Sequence, residues 1–231
     1  MRLNRFQYLN RGHDEVLVLI PGWGFDARIF ELLDLDFNYL LPQINDPEGF
    51  SADLMGALVE NRIKKVSLFG WSMGGFLAIN FLEEYGREFV REIFLVSMRK
   101  TYPEKEIDSQ IALLIKDRIL YLSRFYRNCF MGQKRAFAWF KERMFSSYIE
   151  MFDLKFLLKG LDYLMQQRLE TTALKENPVR IIHGEKDRIA PYSEIVEMAK
   201  DISFPGMVTF KKSGHIPFLE PDFKERFYAG I

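Results

Sequence analysis

A serine, an aspartate and a histidine that could work together in nucleophilic chemistry stand far apart in the chain. Ser72 lies in Gly-Trp-Ser-Met-Gly-Gly, residues 70–75, which matches the pattern G-x-S-x-G. A serine hydroxyl is a poor nucleophile at neutral pH unless a base takes its proton. His215, in KSGHIPFLEP, is the candidate base, and Asp187, in HGEKDRIAP, is the candidate carboxylate that orients it. This order along the chain is one of the known orders of a catalytic triad.

Each of these three residues also has a simpler explanation. Ser72 could cap a helix, with its glycines present for close packing. His215 could be an ordinary loop histidine, and Asp187 could be a turn or capping aspartate, with Glu185 as the alternative carboxylate. The other two histidines are weaker candidates for the base: His13 lies in the polar stretch NRGHDE, and His183 ends a buried strand, where a hydrogen bond to backbone is expected.

Acyl transfer also needs donors that stabilise an oxyanion. The stretch LIPGWGFD, residues 19–26, ends an apolar run in a glycine-rich turn, Pro-Gly-Trp-Gly. The backbone N–H groups of Trp23 and Met73 are the natural pair of donors, since one lies in this turn and the other follows the serine. A simple tight turn is the alternative explanation.

The elements that must position these residues alternate between strands and helices. Apolar runs predict strands at 16–20, 65–70, 91–97, 179–184 and 207–212, with a weaker strand at 39–46. Helical patterns predict a short segment at 27–34 and helices from Ser51 (the expected N-cap) to about 61, then at 74–85, 191–201 and 221–228. This alternation predicts an α/β fold with a mostly parallel sheet flanked by helices. Ser72, Asp187 and His215 each follow a predicted strand.

One long stretch interrupts the alternation. From residue 99 to residue 175 the sequence is helical, aromatic and basic, with no convincing strand. We call it the cap segment and expect an all-helical cap or lid, with residues 1–98 and 176–231 forming the core. The cap segment holds fifteen basic and nine acidic residues, a net charge of +6, although the whole chain has 32 of each.

Composition places the chain among ordinary globular proteins. It has 231 residues, of which 48% are hydrophobic, and a formal net charge of zero. The balanced charge gives no support to a nucleic-acid or membrane role for the whole molecule. Cys129 is the single cysteine, and the N-terminus has no apolar targeting segment, so we expect a cytoplasmic protein. As a separate expectation, we predict a monomer.

The motifs around residues 21–24, 70–75, 183–187 and 214–215 make nearly the whole chain resemble an α/β-hydrolase. Pro21 stands where many members of that superfamily have His. Within the superfamily, the Gly-Trp-Gly turn, the Gly-Trp-Ser motif and RFYRNCFMG at 124–132 are most similar to the pimeloyl-acyl-carrier-protein methyl ester esterases of biotin synthesis.

This resemblance implies a serine carboxylesterase that acts on an acyl ester carried by acyl carrier protein, with no metal and no organic cofactor. It also implies a set of residues that line the acyl channel: Trp23, Trp71, Phe125, Tyr126, Arg127, Asn128 and Cys129. Because acyl carrier protein is acidic, a basic cap would steer it to the site. The candidates for that contact are Arg118, Arg124, Arg127, Arg135 and Arg143.

Several alternatives stay open. The basic residues of the cap segment could be a solvated helix face, and its aromatic residues could simply pack against their neighbours. Membrane-surface association is a weaker hypothesis, and base stacking is weaker still. For the whole protein, a general carboxylesterase or thioesterase and a non-catalytic binding module of the same fold are the two alternative functions.

Overall fold

A computed structural model describes residues 5–43, 46–170, 178–202 and 207–229. Its seven strands form one sheet in the order β1-β3-β2-β4-β5-β6-β7. They are Phe6–Leu9 (β1), Val16–Ile20 (β2), Asn38–Pro42 (β3), Val66–Trp71 (β4), Val90–Val96 (β5), Val179–Gly184 (β6) and Met207–Phe210 (β7). The predicted α/β fold with a mostly parallel sheet is confirmed.

The described residues contain nine α-helices. They are Phe50–Glu60 (α1), Met73–Tyr85 (α2), Glu104–Lys116 (α3), Arg118–Cys129 (α4), Lys134–Arg143 (α5), Phe145–Met151 (α6), Leu154–Gln166 (α7), Tyr192–Ile202 (α8) and Phe223–Ala229 (α9). Two short 3₁₀ helices, Ala27–Phe30 and Pro217–Leu219, complete the elements.

By their internal packing, the residues form two compact units. The first contains Met1–Val96 with Thr171–Ile181, and the second contains Ser97–Glu170 with Ile182–Ile231. In the first unit, β2 pairs in parallel with both β3 and β4, and β4 pairs in parallel with β5. Every residue of β2 and β4 is buried, as expected for strands that are covered on both faces.

Two details of the first unit differ from the prediction. The antiparallel edge strand β1 was not predicted, since it is only four residues long and pairs with β3. Helix α1 begins at Phe50, with Gly49 rather than Ser51 as its N-cap. The Phe50 ring is buried 5.7 Å from the ring of Phe6, so packing places the helix start before the serine.

In the second unit, α3 to α7 occupy most of the cap segment, of which residues 171–175 lie outside the described part of the chain. Between residues 99 and 170 the structure describes no strand, as predicted, although an isolated antiparallel bridge joins Thr101 to Arg168. The division into core and cap at residues 99 and 175 stays a prediction.

Aromatic rings form the interior of these helices. Tyr126 is fully buried, and its ring lies 5.1 Å from that of Phe140 and 6.1 Å from that of Tyr148. Phe140 also packs 4.9 Å from Phe130. Packing among these helices therefore accounts for the buried aromatic residues of the cluster.

Candidate active site

Ser72 stands at the sharp turn between β4 and α2. Its backbone has φ 55° and ψ −119°, a conformation that residues other than glycine rarely adopt. The Ser72 N–H donates to the carbonyl of Val96 at 2.8 Å, and the Gly75 N–H donates to the carbonyl of Ser72 at 2.9 Å. Strain of this kind costs about 1–3 kcal/mol and persists where the surrounding structure imposes it. Strand, turn and helix follow one another as a nucleophile elbow requires.

The glycines around Ser72 make this turn possible. A Cβ atom at Gly70 would lie 2.5 Å from the Cα atom of Gly75, well inside contact distance. A Cβ atom at Gly74 would lie 2.3 Å from the carbonyl oxygen of Ile20. The first turn of α2 therefore packs directly on the end of β2, and a larger residue at either glycine would push the two elements apart.

The turn proposed to supply an oxyanion donor lies beside the serine. A Cβ atom at Gly22 would lie 3.1 Å from the Cβ atom of Ser72. The Phe25 N–H closes the turn by donating to the Gly22 carbonyl at 3.3 Å, and Trp23 is almost fully buried. Met73 is the first residue of α2, where backbone N–H groups have no partner within the helix. The roles of Trp23 and Met73 as oxyanion donors stay predictions.

In the second unit, Asp187 and His215 form a buried pair. The Nδ1 atom of His215 lies 2.8 Å from Oδ2 of Asp187. The other carboxylate oxygen, Oδ1, accepts the N–H groups of Ile189 at 2.8 Å and Ala190 at 2.9 Å. Because a carboxylate accepts, Nδ1 of His215 carries the proton and Nε2 is left as the basic nitrogen.

The alternative carboxylate, Glu185, has a different environment. Its side chain is half-buried and accepts a hydrogen bond from the Thr209 hydroxyl at 3.3 Å, and its N–H donates to the carbonyl of Phe210. Of the two acidic residues weighed for this role, Asp187 is the one bonded to His215.

Helix α4 and the residues that follow it hold the loop that carries His215. The His215 N–H donates to the carbonyl of Cys129 at 2.9 Å, and the side-chain amide of Gln133 donates to the carbonyl of Ile216 at 2.8 Å. The Cys129 side chain is fully buried, and this burial raises the pKa of its thiol. A thiol held neutral in this way is a poor nucleophile.

His183 is a residue whose contact with the pair was not predicted. Its Nε2 atom lies 2.8 Å from the carbonyl oxygen of Ala190, which confirms the expected bond to backbone, and 3.4 Å from Oδ2 of Asp187. Burial lowers the pKa of His183, although the nearby Asp187 carboxylate acts in the opposite direction. His183 is therefore neutral at pH 7.

The residues predicted to line an acyl channel differ in exposure. Trp71, Tyr126 and Cys129 are fully buried, Phe125 and Asn128 are half-buried, and Arg127 is exposed. Trp71 packs 4.7 Å from Phe25 within the first unit. Substrate contact by these residues stays a prediction.

The predicted carrier-protein contacts also fall into two groups. Arg118 is half-buried, and its Nη1 atom donates to the carbonyls of Ile149 at 2.5 Å and Phe152 at 2.7 Å. The remaining four candidates are exposed on α4 and α5: Arg124, Arg127, Arg135 and Arg143. Arg118 thus ties α4 to the end of α6, whereas the others present charge to solvent.

A cavity of about 710 Å³ lies elsewhere in the first unit. It is lined by the sheet residues Leu9, Leu19 and Tyr39 and by Phe30 of the 3₁₀ helix. It contains none of the predicted site residues. Among the described residues, no three His, Cys, Asp or Glu side chains are grouped so that they could hold a metal ion.

Comparison with known proteins gives the family. Residues 17–224 match the Alpha/beta hydrolase family. The chain belongs to this family. It is 25% identical to the AB hydrolase superfamily protein YisY of Bacillus subtilis (strain 168), with 90% of this chain and 88% of that protein covered.

Two further similarities fit the α/β-hydrolase fold. The chain is 27% identical to the pimeloyl-[acyl-carrier protein] methyl ester esterase of Nitrosomonas europaea, with 94% of both chains covered. The esterase EaEST from Exiguobacterium antarcticum has a similar structure, with a TM-score of 0.80 and 20% identity over 97% of this chain and 93% of that one. In the described part of this hydrolase, the helices are too short or too polar to span a membrane.

Proposed function

We propose that this α/β-hydrolase is a serine carboxylesterase in which Ser72 is the nucleophile. The Ser72 hydroxyl attacks the ester carbonyl carbon while Nε2 of His215 takes its proton. The N–H groups of Trp23 and Met73 stabilise the oxyanion. The tetrahedral intermediate collapses to an acyl-enzyme, and His215 gives the proton to the departing alcohol. Water then hydrolyses the acyl-enzyme, with His215 again acting as base.

The backbone conformation of Ser72 is the observation that carries this proposal. A helix-capping serine does not need a φ of 55°, and its side chain would accept a hydrogen bond from its own helix, which is not found for Ser72 in the described structure. The strained turn instead holds the hydroxyl at the top of a strand. The buried bond between Asp187 and His215 supports the same mechanism, since it leaves the imidazole with one basic nitrogen.

For the substrate, we propose the methyl ester of a pimeloyl group carried on acyl carrier protein. Two observations support it: relatives with 90% or more of this chain covered carry that name, and four exposed arginines lie on α4 and α5. Hydrolysis would release methanol and the pimeloyl-carrier acid. An acidic carrier would meet a cap segment whose net charge is +6.

The nucleophile is tested by Ser72→Ala with short p-nitrophenyl esters and a fluorophosphonate probe. Hydrolysis and labelling should both be lost while the thermal unfolding temperature stays close to wild type. Ser67→Ala is the matched control, because Ser67 is also buried, on strand β4 five residues earlier, and it should keep both. Activity retained by Ser72→Ala would refute the proposed mechanism.

The carrier is tested by comparing free pimeloyl methyl ester with the same ester on acyl carrier protein. The variant Arg124→Glu/Arg135→Glu, at two exposed positions outside the predicted acyl channel, should lower kcat/KM only for the carried ester. Lys64→Glu/Lys65→Glu makes the same change in net charge at exposed positions outside the cap segment and should leave both rates unchanged. Equal rates on both substrates in all proteins would indicate a general carboxylesterase instead.

A further inference from the structure

The imidazole of His183 is fully buried against the loop that carries Asp187. Its Nε2 atom lies 2.8 Å from the carbonyl oxygen of Ala190. A carbonyl oxygen can only accept, so Nε2 carries the proton in the neutral ring. The Nδ1 atom is also buried and has no hydrogen-bond partner among the residues that the structure describes. The hydrogen bonds that this side chain makes to the described residues therefore all involve Nε2.

Ala190 connects His183 to the carboxylate. Its carbonyl accepts the bond from His183, and its N–H donates to Oδ1 of Asp187 at 2.9 Å. The Ile189 N–H is the second donor to the same oxygen, at 2.8 Å. His183 thus fixes the stretch of backbone that fixes one oxygen of Asp187.

The second oxygen of Asp187 lies between two imidazoles. Oδ2 is 2.8 Å from Nδ1 of His215 and 3.4 Å from Nε2 of His183. Glu194 adds a weaker electrostatic influence on His183, and the ring of Tyr192 lies 6.1 Å away. Because burial lowers the pKa of His183, its imidazole stays neutral beside Asp187 at pH 7.

We propose that His183 is a positioning residue: its bond to Ala190 holds Asp187 in the orientation that presents Oδ2 to His215. This inference rests on the proposed function, in which His215 is the base. His183 does not exchange protons in the reaction. It acts through Ala190 and Asp187, and a neutral donor of the same reach should replace it.

The test compares His183→Gln, whose side-chain amide reaches the position of Nε2, with His183→Leu, which fills the space without a donor. His183→Leu should lower kcat for p-nitrophenyl esters by about 10- to 100-fold, by analogy with the loss seen when the hydrogen-bond partner of a metal-ligating side chain is removed. KM should not change, and His183→Gln should restore most of kcat. Wild-type kcat in His183→Leu, or a change confined to KM, would overturn the inference.

Two measurements keep the test decisive where His183→Leu does not fold. His183→Asn keeps an amide but is too short to reach Ala190, so it should behave like the leucine variant and differ from His183→Gln. In the wild-type protein, ¹⁵N NMR should find His183 neutral with its proton on Nε2 at pH 7. A proton on Nδ1, or equal kcat in the Gln and Asn variants, would contradict the proposed role.

Failure of this inference differs from failure of the proposed function. If Ser72→Ala is inactive and the His183 variants all match wild type, the esterase mechanism stands and the role of His183 is refuted. If Ser72→Ala stays active, the mechanism itself is refuted, whatever the His183 variants do.

Discussion

Gly74, in the first turn of α2, lies directly against Ile20, the last residue of β2. A Cβ atom at Gly74 would stand 2.3 Å from the Ile20 carbonyl oxygen and 2.8 Å from that of Pro21. The backbone itself would have to move, because carbonyl oxygens cannot avoid the clash by changing rotamer as a side chain can. The position of the Ser72 turn therefore depends on the absence of one methyl group.

Replacing Gly74 by alanine should consequently lower both activity and stability. We expect a loss of about 3 kcal/mol in the free energy of unfolding, from overpacking against rigid backbone, together with loss of esterase activity. Urea unfolding and p-nitrophenyl ester hydrolysis measure the two effects. Gly56→Ala is the control, because a Cβ at Gly56 in helix α1 meets nothing within 4 Å. It should gain about 0.5–1 kcal/mol.

Asp187→Asn should nearly abolish ester hydrolysis. An amide at this position can donate to Nδ1 of His215, which favours the wrong tautomer and removes the charge that stabilises the imidazolium. The expected loss in kcat is about 10⁴-fold. Glu185→Gln should stay close to wild type, since Glu185 is bonded to Thr209 instead. The opposite ranking of the two variants would assign the carboxylate role to Glu185.

The pH dependence of stability should report on His183. Its pKa in the folded protein is below the ordinary value of 6.5 because the ring is buried. As pH falls through about 6.5, the unfolded chain takes up a proton at His183 and the folded protein does not, so the free energy of unfolding decreases. This contribution is complete above that pH and is lost progressively down to the folded pKa.

Urea unfolding of wild type and His183→Gln at pH 7.5 and 5 measures this effect. The glutamine variant should lose less stability between the two pH values, since its side chain does not titrate. Other titrating groups are common to both proteins and cancel in the comparison. The same loss in both proteins would place the pKa of His183 at its ordinary value.

Arg118→Met should destabilise the helices of the second unit. Arg118 donates to the carbonyls of Ile149 and Phe152, and hydrogen bonds from a charged donor contribute about 1.5–3 kcal/mol. Arg124→Met removes an equal charge from an exposed site on the same helix and should change stability by less than about 0.5 kcal/mol. Thermal unfolding of the two variants separates these roles. Equal unfolding temperatures would mean that the Arg118 bonds contribute no net stability.

Much of the fold could be predicted because buried parallel strands have a simple pattern. The run Val16–Ile20 is continuously apolar, and the structure has β2 with the same bounds. Strand β1 was missed because only Phe6 of its four residues is buried, so its pairing with β3 depends on tertiary contacts. The start of α1 was misplaced because Phe50 packs on Phe6, a contact between segments far apart in sequence.

The candidate site could likewise be predicted only in part. Asp187 and His215 were predicted as partners because each follows a strand, and their bond is present in the structure. The support around them was not predicted. The donor to Ala190 comes from His183, and the acceptor for the His215 N–H is the carbonyl of Cys129, whose residue type has no bearing on the bond. No side-chain pattern encodes a contact made by backbone.

That contact between the His215 N–H and the Cys129 carbonyl sets a rule for engineering this protein. A chimera that borrows the cap segment of a relative, in order to change substrate preference, would also exchange the last turn of α4 and with it an anchor of the histidine loop. The splice should therefore be made after residue 129 or should keep the backbone of that turn in place, because the proposed mechanism needs the His215 loop where this carbonyl holds it.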